Sequence, residues 1–100
     1  MLNDKSGLNI SDVKGLHCLV TGRVQAVCFR LSTREQADLY GLTGWVRNLQ
    51  DGRVEVMAFG DEQQLDKLKQ WLKSGPAMAR VLDVENETIA FQEFEGFAIR

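Results

Sequence analysis

The sequence contains few of the residues that cross-link small domains or bind metals, with two cysteines and one histidine in 100 residues. It also contains only one proline. Two cysteines are too few for a disulfide scaffold, and one histidine without a C-x-x-C pair leaves no ligand set for a metal. No apolar run approaches the roughly 20 residues that cross a bilayer, and the beginning of the chain lacks the layout of a secretory signal. We therefore predict a cytoplasmic protein with no metal and no membrane partner.

The sequence also lacks an excess of charge of either sign, because 12 basic side chains face 14 acidic ones and the net charge is −2. No strong overall field attracts such a chain to nucleic acid. We therefore expect no nucleic-acid partner, and we expect any bound anion to be held locally. The length and the hydrophobic content of 44% fit one small globular domain.

The chain divides into a polar start and a patterned remainder. Residues 1–14 show no sustained period, so we predict a flexible N-terminal leader there and a folded domain at residues 15–100. Asp51-Gly52 between two strand patterns predicts a tight hairpin, and Asp61 is predicted to cap the second helix. The predicted strands lie near residues 16–20, 44–49, 53–59, 79–89 and 97–99, and the predicted helices near residues 28–40 and from Asp61 to Gly75.

The predicted order of elements, βαββαβ, contains one hairpin and two helix-containing crossovers. Because such crossovers have a preferred hand, both helices fall on the same face of the sheet. We therefore predict an α+β fold, the ferredoxin-like α/β sandwich, with an antiparallel sheet and two helices on one face. We expect a monomer, since monomers commonly tolerate sheet edges that are short or charged.

The segment from Gly22 to Arg30, GRVQAVCFR, joins the end of a predicted strand to the start of a predicted helix. Free N–H groups at a helix start and the helix dipole favour an anion there, and an arginine adds a planar, charge-assisted clamp. Arg30 is well placed for that role. Composition alone also allows Arg23 and Arg30 to be solvated surface charges, so both interpretations stay open at this point.

Four separated motifs narrow the choice, namely GRVQAVCFR at residues 22–30, GLTGWVRN at residues 41–48, DGRVE at residues 51–55 and GFAI at residues 96–99. Together they resemble the acylphosphatase family, over a stretch from about residue 16 to the last residue. The resemblance implies an enzyme, a metal-independent acylphosphate phosphohydrolase. Such an enzyme hydrolyses small-molecule acyl phosphates to carboxylate and inorganic phosphate without a cofactor.

The resemblance also implies roles for individual residues. Arg30 is expected to bind the phosphoryl oxygens together with backbone N–H groups of the preceding loop, and Asn48 is expected to position the attacking water. The loop residues implied to bind phosphate are Val24, Gln25, Ala26, Val27, Cys28 and Phe29. So sparse a site suits the chemistry, because a carboxylate leaves without a strong general acid and phosphoryl transfer needs mainly positioning and charge stabilisation.

One residue departs from the family pattern, since Ala26 stands where the family has glycine. If that position requires a positive φ, the Cβ atom costs roughly 1–2 kcal/mol, although the N–H group is kept. We therefore expect reduced activity. The alternative function is a catalytically weakened phosphate- or anion-binding regulatory domain of the same fold.

Other functions fit the sequence less well. A cysteine phosphatase needs five residues between its cysteine and arginine, whereas four separate Cys18 from Arg23, so Cys18 is predicted to be a buried hydrophobe. Cys28 lies in the anion loop and is predicted to be dispensable for catalysis yet sensitive to thiol reagents. RNA-binding modules share the βαββαβ order, but Phe59 alone does not form their aromatic stacking surface.

Overall fold

A computed structural model describes residues 12–100, which fold as five strands and two helices. The elements are β1 (Val13–Arg23), α1 (Phe29–Leu39), β2 (Thr43–Asn48), β3 (Val54–Asp61), α2 (Glu62–Leu72), β4 (Arg80–Ile89) and β5 (Phe97–Ile99). Their order is the predicted one, and the largest difference in extent is at β1, which is longer than predicted at both ends. No helix in this part of the chain has the length and apolar composition needed to span a bilayer.

The predicted leader can be compared with the structure only at its end. Residues 1–11 lie outside the described residues, whereas Val13 and Lys14 belong to β1 and pair with Asp61 and Gly60 of β3. Backbone hydrogen bonds do not require apolar side chains, so β1 extends as far as β3 offers partners. The sheet therefore begins before the predicted domain boundary at residue 14.

The five strands form one sheet in the order β4-β1-β3-β2-β5. The three pairs among β4, β1, β3 and β2 are antiparallel, whereas β5 runs parallel to β2, with Gly44 opposite Phe97 and Val46 opposite Ile99. Both helices lie on one face, α1 against β2 and β5 and α2 against β1 and β3. The predicted ferredoxin-like sandwich is confirmed, and the parallel β5 makes its sheet mixed instead of wholly antiparallel.

The core lies between the sheet and the helices. Strand alternation places one apolar set on the helix face, and each helix adds one stripe, as the sequence pattern predicts. The strand residues are Leu16, Cys18 and Val20 of β1 and Val54, Val56 and Ala58 of β3, and the helix residues are Phe29, Thr33 and Ala37 of α1 and Leu65, Leu68 and Leu72 of α2.

Asp61 caps α2 as predicted, since its Oδ1 accepts a hydrogen bond from the Gln63 N–H at 2.8 Å.

The opposite face of the sheet carries an ion-pair cluster centred on Glu55 of β3. The Glu55 carboxylate accepts hydrogen bonds from Arg47 Nε at 2.6 Å and from His17 Nε2 at 2.7 Å, so it joins β1, β2 and β3. Its side chain is only 13% exposed. Burial acts to raise the pKa of Glu55, but the hydrogen bonds from His17 and Arg47 outweigh burial and lower that pKa below its usual range.

We expect the Glu55→Gln substitution to lower the free energy of unfolding at pH 7 by about 1 kcal/mol, a value discounted for the solvent screening of exposed Arg47. Because the folded-state pKa of Glu55 is lowered, the stabilisation is complete above its unfolded-state pKa of about 4.3 and is lost as pH falls through the folded-state pKa. Urea unfolding of both proteins at pH 7 and at about pH 3 checks this, since the difference between them should shrink in acid.

Glu87→Gln is the matched control, because the Glu87 side chain is 71% exposed and lies 3.9 Å from His17 Nδ1. It should change stability at pH 7 by less than Glu55→Gln does. An equal loss of unfolding free energy in both variants would contradict the stabilising role of the Glu55 cluster. A difference between Glu55→Gln and the wild type that persists in acid would contradict the lowered pKa of Glu55.

Candidate functional site

The loop between β1 and α1, residues 24–28, has the backbone form of an anion-binding turn. Val24 and Phe29, which are 1% and 2% exposed, anchor its two ends in the core. Between them, Ala26 and Cys28 are in the left-handed region, with φ of 60° and 61°. Turns that contain such residues direct backbone N–H groups into a concavity that suits an anion.

The N–H groups of this loop are available for a ligand. Within residues 12–100, none of the N–H groups of residues 24–28 donates to a backbone carbonyl. Helix α1 begins directly after the loop, and its cap residue, Cys28, makes no side-chain hydrogen bond to the first turn. The free N–H groups of that turn and the positive end of the helix dipole therefore add to the same anion site.

Arg30 lies in the first turn of α1, and its guanidinium is held beside the end of β5. Its Nη1 donates to the backbone carbonyl of Arg100 at 3.1 Å, and the Arg100 N–H in turn donates to the Val46 carbonyl of β2 at 2.9 Å. Since Val46 is two residues before Asn48, the guanidinium lies at the end of the sheet where β2 stops. No local pattern predicts this contact, because 70 residues separate Arg30 from Arg100.

Asn48 is the last residue of β2 and pairs with Val54 of β3. Its Oδ1 is buried and has no hydrogen-bond partner among residues 12–100. A buried amide oxygen without a partner costs roughly 1–3 kcal/mol. The structure therefore places the Asn48 side chain at the sheet end that carries Arg30, with its amide oxygen buried.

Gln25 has a side-chain role that the sequence analysis missed. Its Nε2 donates to the backbone carbonyls of Leu49, at 2.8 Å, and Arg53, at 3.0 Å. Both carbonyls belong to the hairpin turn that follows Asn48. The side chain therefore ties the anion loop to the β2–β3 hairpin, and no local pattern predicts this link because the partners are 24 and 28 residues away.

The two cysteines differ in exposure, and the predicted burial of Cys18 is confirmed. Cys18 is fully buried in β1, and burial raises the pKa of its thiol to about 12, against a smaller opposing effect of Lys69. A thiol that stays protonated and lacks solvent access cannot act as a nucleophile, so the cysteine-phosphatase alternative is excluded. Cys28 is exposed, at the end of the anion loop.

Comparison with known proteins gives a consistent result. A family model described as Acylphosphatase matches residues 16–99. An acylphosphatase of Pseudomonas paraeruginosa is 54% identical to this chain over 85 residues, which cover 85% of this chain and 93% of the relative. The structure of an acylphosphatase from Coxiella burnetii superposes with a TM-score of 0.88 at 37% identity, covering 95% of this chain and all of that one. For an acylphosphatase from Bacillus subtilis the TM-score is 0.84 at 34% identity, over 87% of this chain and 98% of the other.

Proposed function

The chain belongs to the acylphosphatase family and is a hydrolase of small acyl phosphates, and we propose that Arg30, Asn48 and the backbone N–H groups of residues 24–29 carry out this reaction. In this proposal the loop N–H groups and the Arg30 guanidinium hold the phosphoryl oxygens. Asn48 orients the water that attacks phosphorus. The loop residues that bind through their backbone are Val24, Gln25, Ala26, Val27, Cys28 and Phe29.

The observation that carries the proposal is that Asn48, Arg30 and the anion loop lie at the same end of the sheet. The Asn48 side-chain amide has both donor and acceptor groups, so it can orient a water molecule. Because Arg30 and the anion loop lie at the same end of the sheet, a phosphoryl group held there would be next to that water. The amide itself stays neutral and is a poor base, so its role is orientation.

The proposed step conserves every atom and charge. The water oxygen forms a bond to phosphorus while the bond between phosphorus and the acyl oxygen breaks, and its electron pair leaves with the carboxylate. The proton released by the water goes to the phosphate being formed. Arg30 and the loop N–H groups stabilise the negative charge on the three non-bridging oxygens, which is where charge stabilisation has its largest effect in phosphoryl transfer.

The test is hydrolysis of benzoyl phosphate by the wild-type protein in ¹⁸O-labelled water, with and without EDTA. Attack on phosphorus places the label in inorganic phosphate, and a metal-independent reaction proceeds at the same rate with chelator. Label in benzoate would show attack on the carbonyl carbon, and loss of turnover with EDTA would show a required metal; either result overturns the corresponding part of the proposal.

Ala26 is expected to lower, and not abolish, the activity, because its φ of 60° places a Cβ atom in a strained conformation. The Ala26→Gly substitution should raise the free energy of unfolding by up to about 1 kcal/mol, since relief of strain exceeds the added flexibility of the unfolded chain. It should also lower the inhibition constant of inorganic phosphate. Urea unfolding and competitive inhibition measure the two effects.

The matched control is Ala77→Gly, because Ala77 is exposed in a turn and is not among the residues with positive φ. This control should lower stability slightly and leave phosphate inhibition unchanged. Unchanged stability and kinetics in Ala26→Gly would show that Ala26 does not limit the enzyme.

The proposal includes a monomer in the cytoplasm. Both cysteines are free, which suits a reducing compartment. The edge strand β4 carries Asp83, Glu85 and Glu87, and like charges disfavour pairing of this edge with a second copy. Sedimentation equilibrium at micromolar concentration tests the oligomeric state.

A further inference from the structure

One side chain joins the two parts of the proposed site. The phosphate-binding part is the loop at residues 24–28 with Arg30, and the water-binding part is Asn48 on the β2–β3 hairpin. Among residues 12–100, the hydrogen bonds from Gln25 to Leu49 and Arg53 are the direct side-chain hydrogen bonds between the loop and the hairpin.

Both hydrogen bonds are well defined in their direction. Two backbone carbonyls face the end of the Gln25 side chain, and a carbonyl only accepts. The amide nitrogen must therefore point at them, and each of its two hydrogens has a partner. Two hydrogen bonds to two different carbonyls restrain the position of the loop relative to the hairpin more than one hydrogen bond would.

The two carbonyls are also the ones that close the hairpin. The Leu49 N–H donates to the Arg53 carbonyl at 2.8 Å, and the Gly52 N–H donates to the Leu49 carbonyl at 3.2 Å. Gln25 therefore contacts the hydrogen-bonded base of the turn, directly after Asn48. Any movement of the loop relative to this base would change the distance between a phosphate held by the loop and a water held by Asn48.

We propose that Gln25 is a positioning residue that sets the separation between the phosphate-binding loop and Asn48. This inference rests on the proposed function and adds a role for a side chain whose backbone alone was expected to act. A misplacement of about 1 Å between reacting groups can lower a rate roughly 100-fold, so two hydrogen bonds at this position bear directly on turnover.

The experiment compares Gln25→Met and Gln25→Glu with the wild type, using benzoyl phosphate as substrate and inorganic phosphate as competitive inhibitor. Methionine keeps the length and loses both donors. We expect kcat to fall roughly 10- to 100-fold in Gln25→Met while the phosphate inhibition constant changes less than about threefold, because the loop keeps its own shape. Gln70→Met, on the exposed side of α2, is the control and should keep wild-type kinetics.

Gln25→Glu adds a signature that loss of packing does not produce. An ionised carboxylate repels the two carbonyls, whereas a protonated carboxyl group can donate one hydrogen bond to them. Its kcat relative to the wild type should therefore rise as pH falls through the pKa of the new carboxyl group. Circular dichroism and thermal unfolding of both variants confirm that the assays are made on folded protein.

A double-mutant cycle with Asn48→Ala completes the test, since a residue that acts through Asn48 should add little further loss once Asn48 is absent. Wild-type kcat in Gln25→Met, a parallel loss of turnover and phosphate binding, or fully additive effects in the cycle would overturn this inference. The proposed function fails by a different result, namely full turnover in Asn48→Ala itself.

Discussion

Replacing Arg30 with alanine is expected to lower kcat/KM for benzoyl phosphate by about 1000-fold or more, which is the range for an arginine that neutralises charge on a transferring phosphoryl group. The guanidinium lies in the first turn of α1 and is held by the Arg100 carbonyl beside the end of β2. Its loss removes a charge that is already oriented before substrate binds. Inhibition by inorganic phosphate should weaken as well, because the same contacts hold the product.

Two further variants separate charge from geometry in this prediction. Arg30→Lys keeps the positive charge and loses the planar pair of donors, so its activity should lie between those of the wild type and Arg30→Ala. Arg34→Ala, one helical turn further along α1, removes an arginine of the same helix away from the loop and should retain wild-type activity. Full activity in Arg30→Ala, or equal losses in Arg30→Ala and Arg34→Ala, would contradict the role of Arg30.

The local patterns of this chain were sufficient to predict the elements that carry the site. The Asp51-Gly52 pair marks the hairpin after Asn48, and the cap at Asp61 is made as predicted. These features depend on residues close in sequence, where turn and cap chemistry act directly. The placement of the loop, Arg30 and Asn48 at one end of the sheet follows from the same order of elements.

Features that depend on residues far apart could not be predicted in this way. The parallel pairing of β5 with β2 and the contact of Arg30 with Arg100 join segments that only the complete fold brings together. The same holds for the bonds from Gln25 to the hairpin. The family pattern points to a positive φ at Ala26, and the structure has it. No pattern predicts the positive φ at Cys28, because cysteine is not a residue that favours this conformation.

Asn48 is needed by the proposed mechanism, but its buried side-chain oxygen lowers the stability of the fold. Its buried Oδ1 has no partner among the described residues, so the folded state bears an unfavourable contribution at this position. Unfavourable contributions of this kind are commonly found at functional sites. Replacing Asn48 should therefore lower turnover strongly and change the free energy of unfolding only slightly.

We expect Asn48→Ala to lower kcat by roughly 100- to 1000-fold, the effect of removing one oriented hydrogen-bonding group from a transition state. Phosphate inhibition should change little, since Arg30 and the loop remain. The free energy of unfolding should not fall by more than about 1 kcal/mol, because the substitution removes the unpartnered oxygen along with the amide. Steady-state kinetics and urea unfolding measure the two quantities on the same preparation.

Asn48→Asp provides the second comparison, because it keeps the shape and the accepting oxygen while it replaces the amide nitrogen with a second, negatively charged oxygen. The charge opposes the phosphoryl group, so phosphate inhibition should weaken at pH values at which the new carboxylate is ionised and recover as it is protonated. Asn48→Ala should show no such dependence. If Asn48→Ala kept wild-type turnover, or if its stability fell by several kcal/mol together with its activity, Asn48 would be part of the packing and the water would have to be oriented by another group.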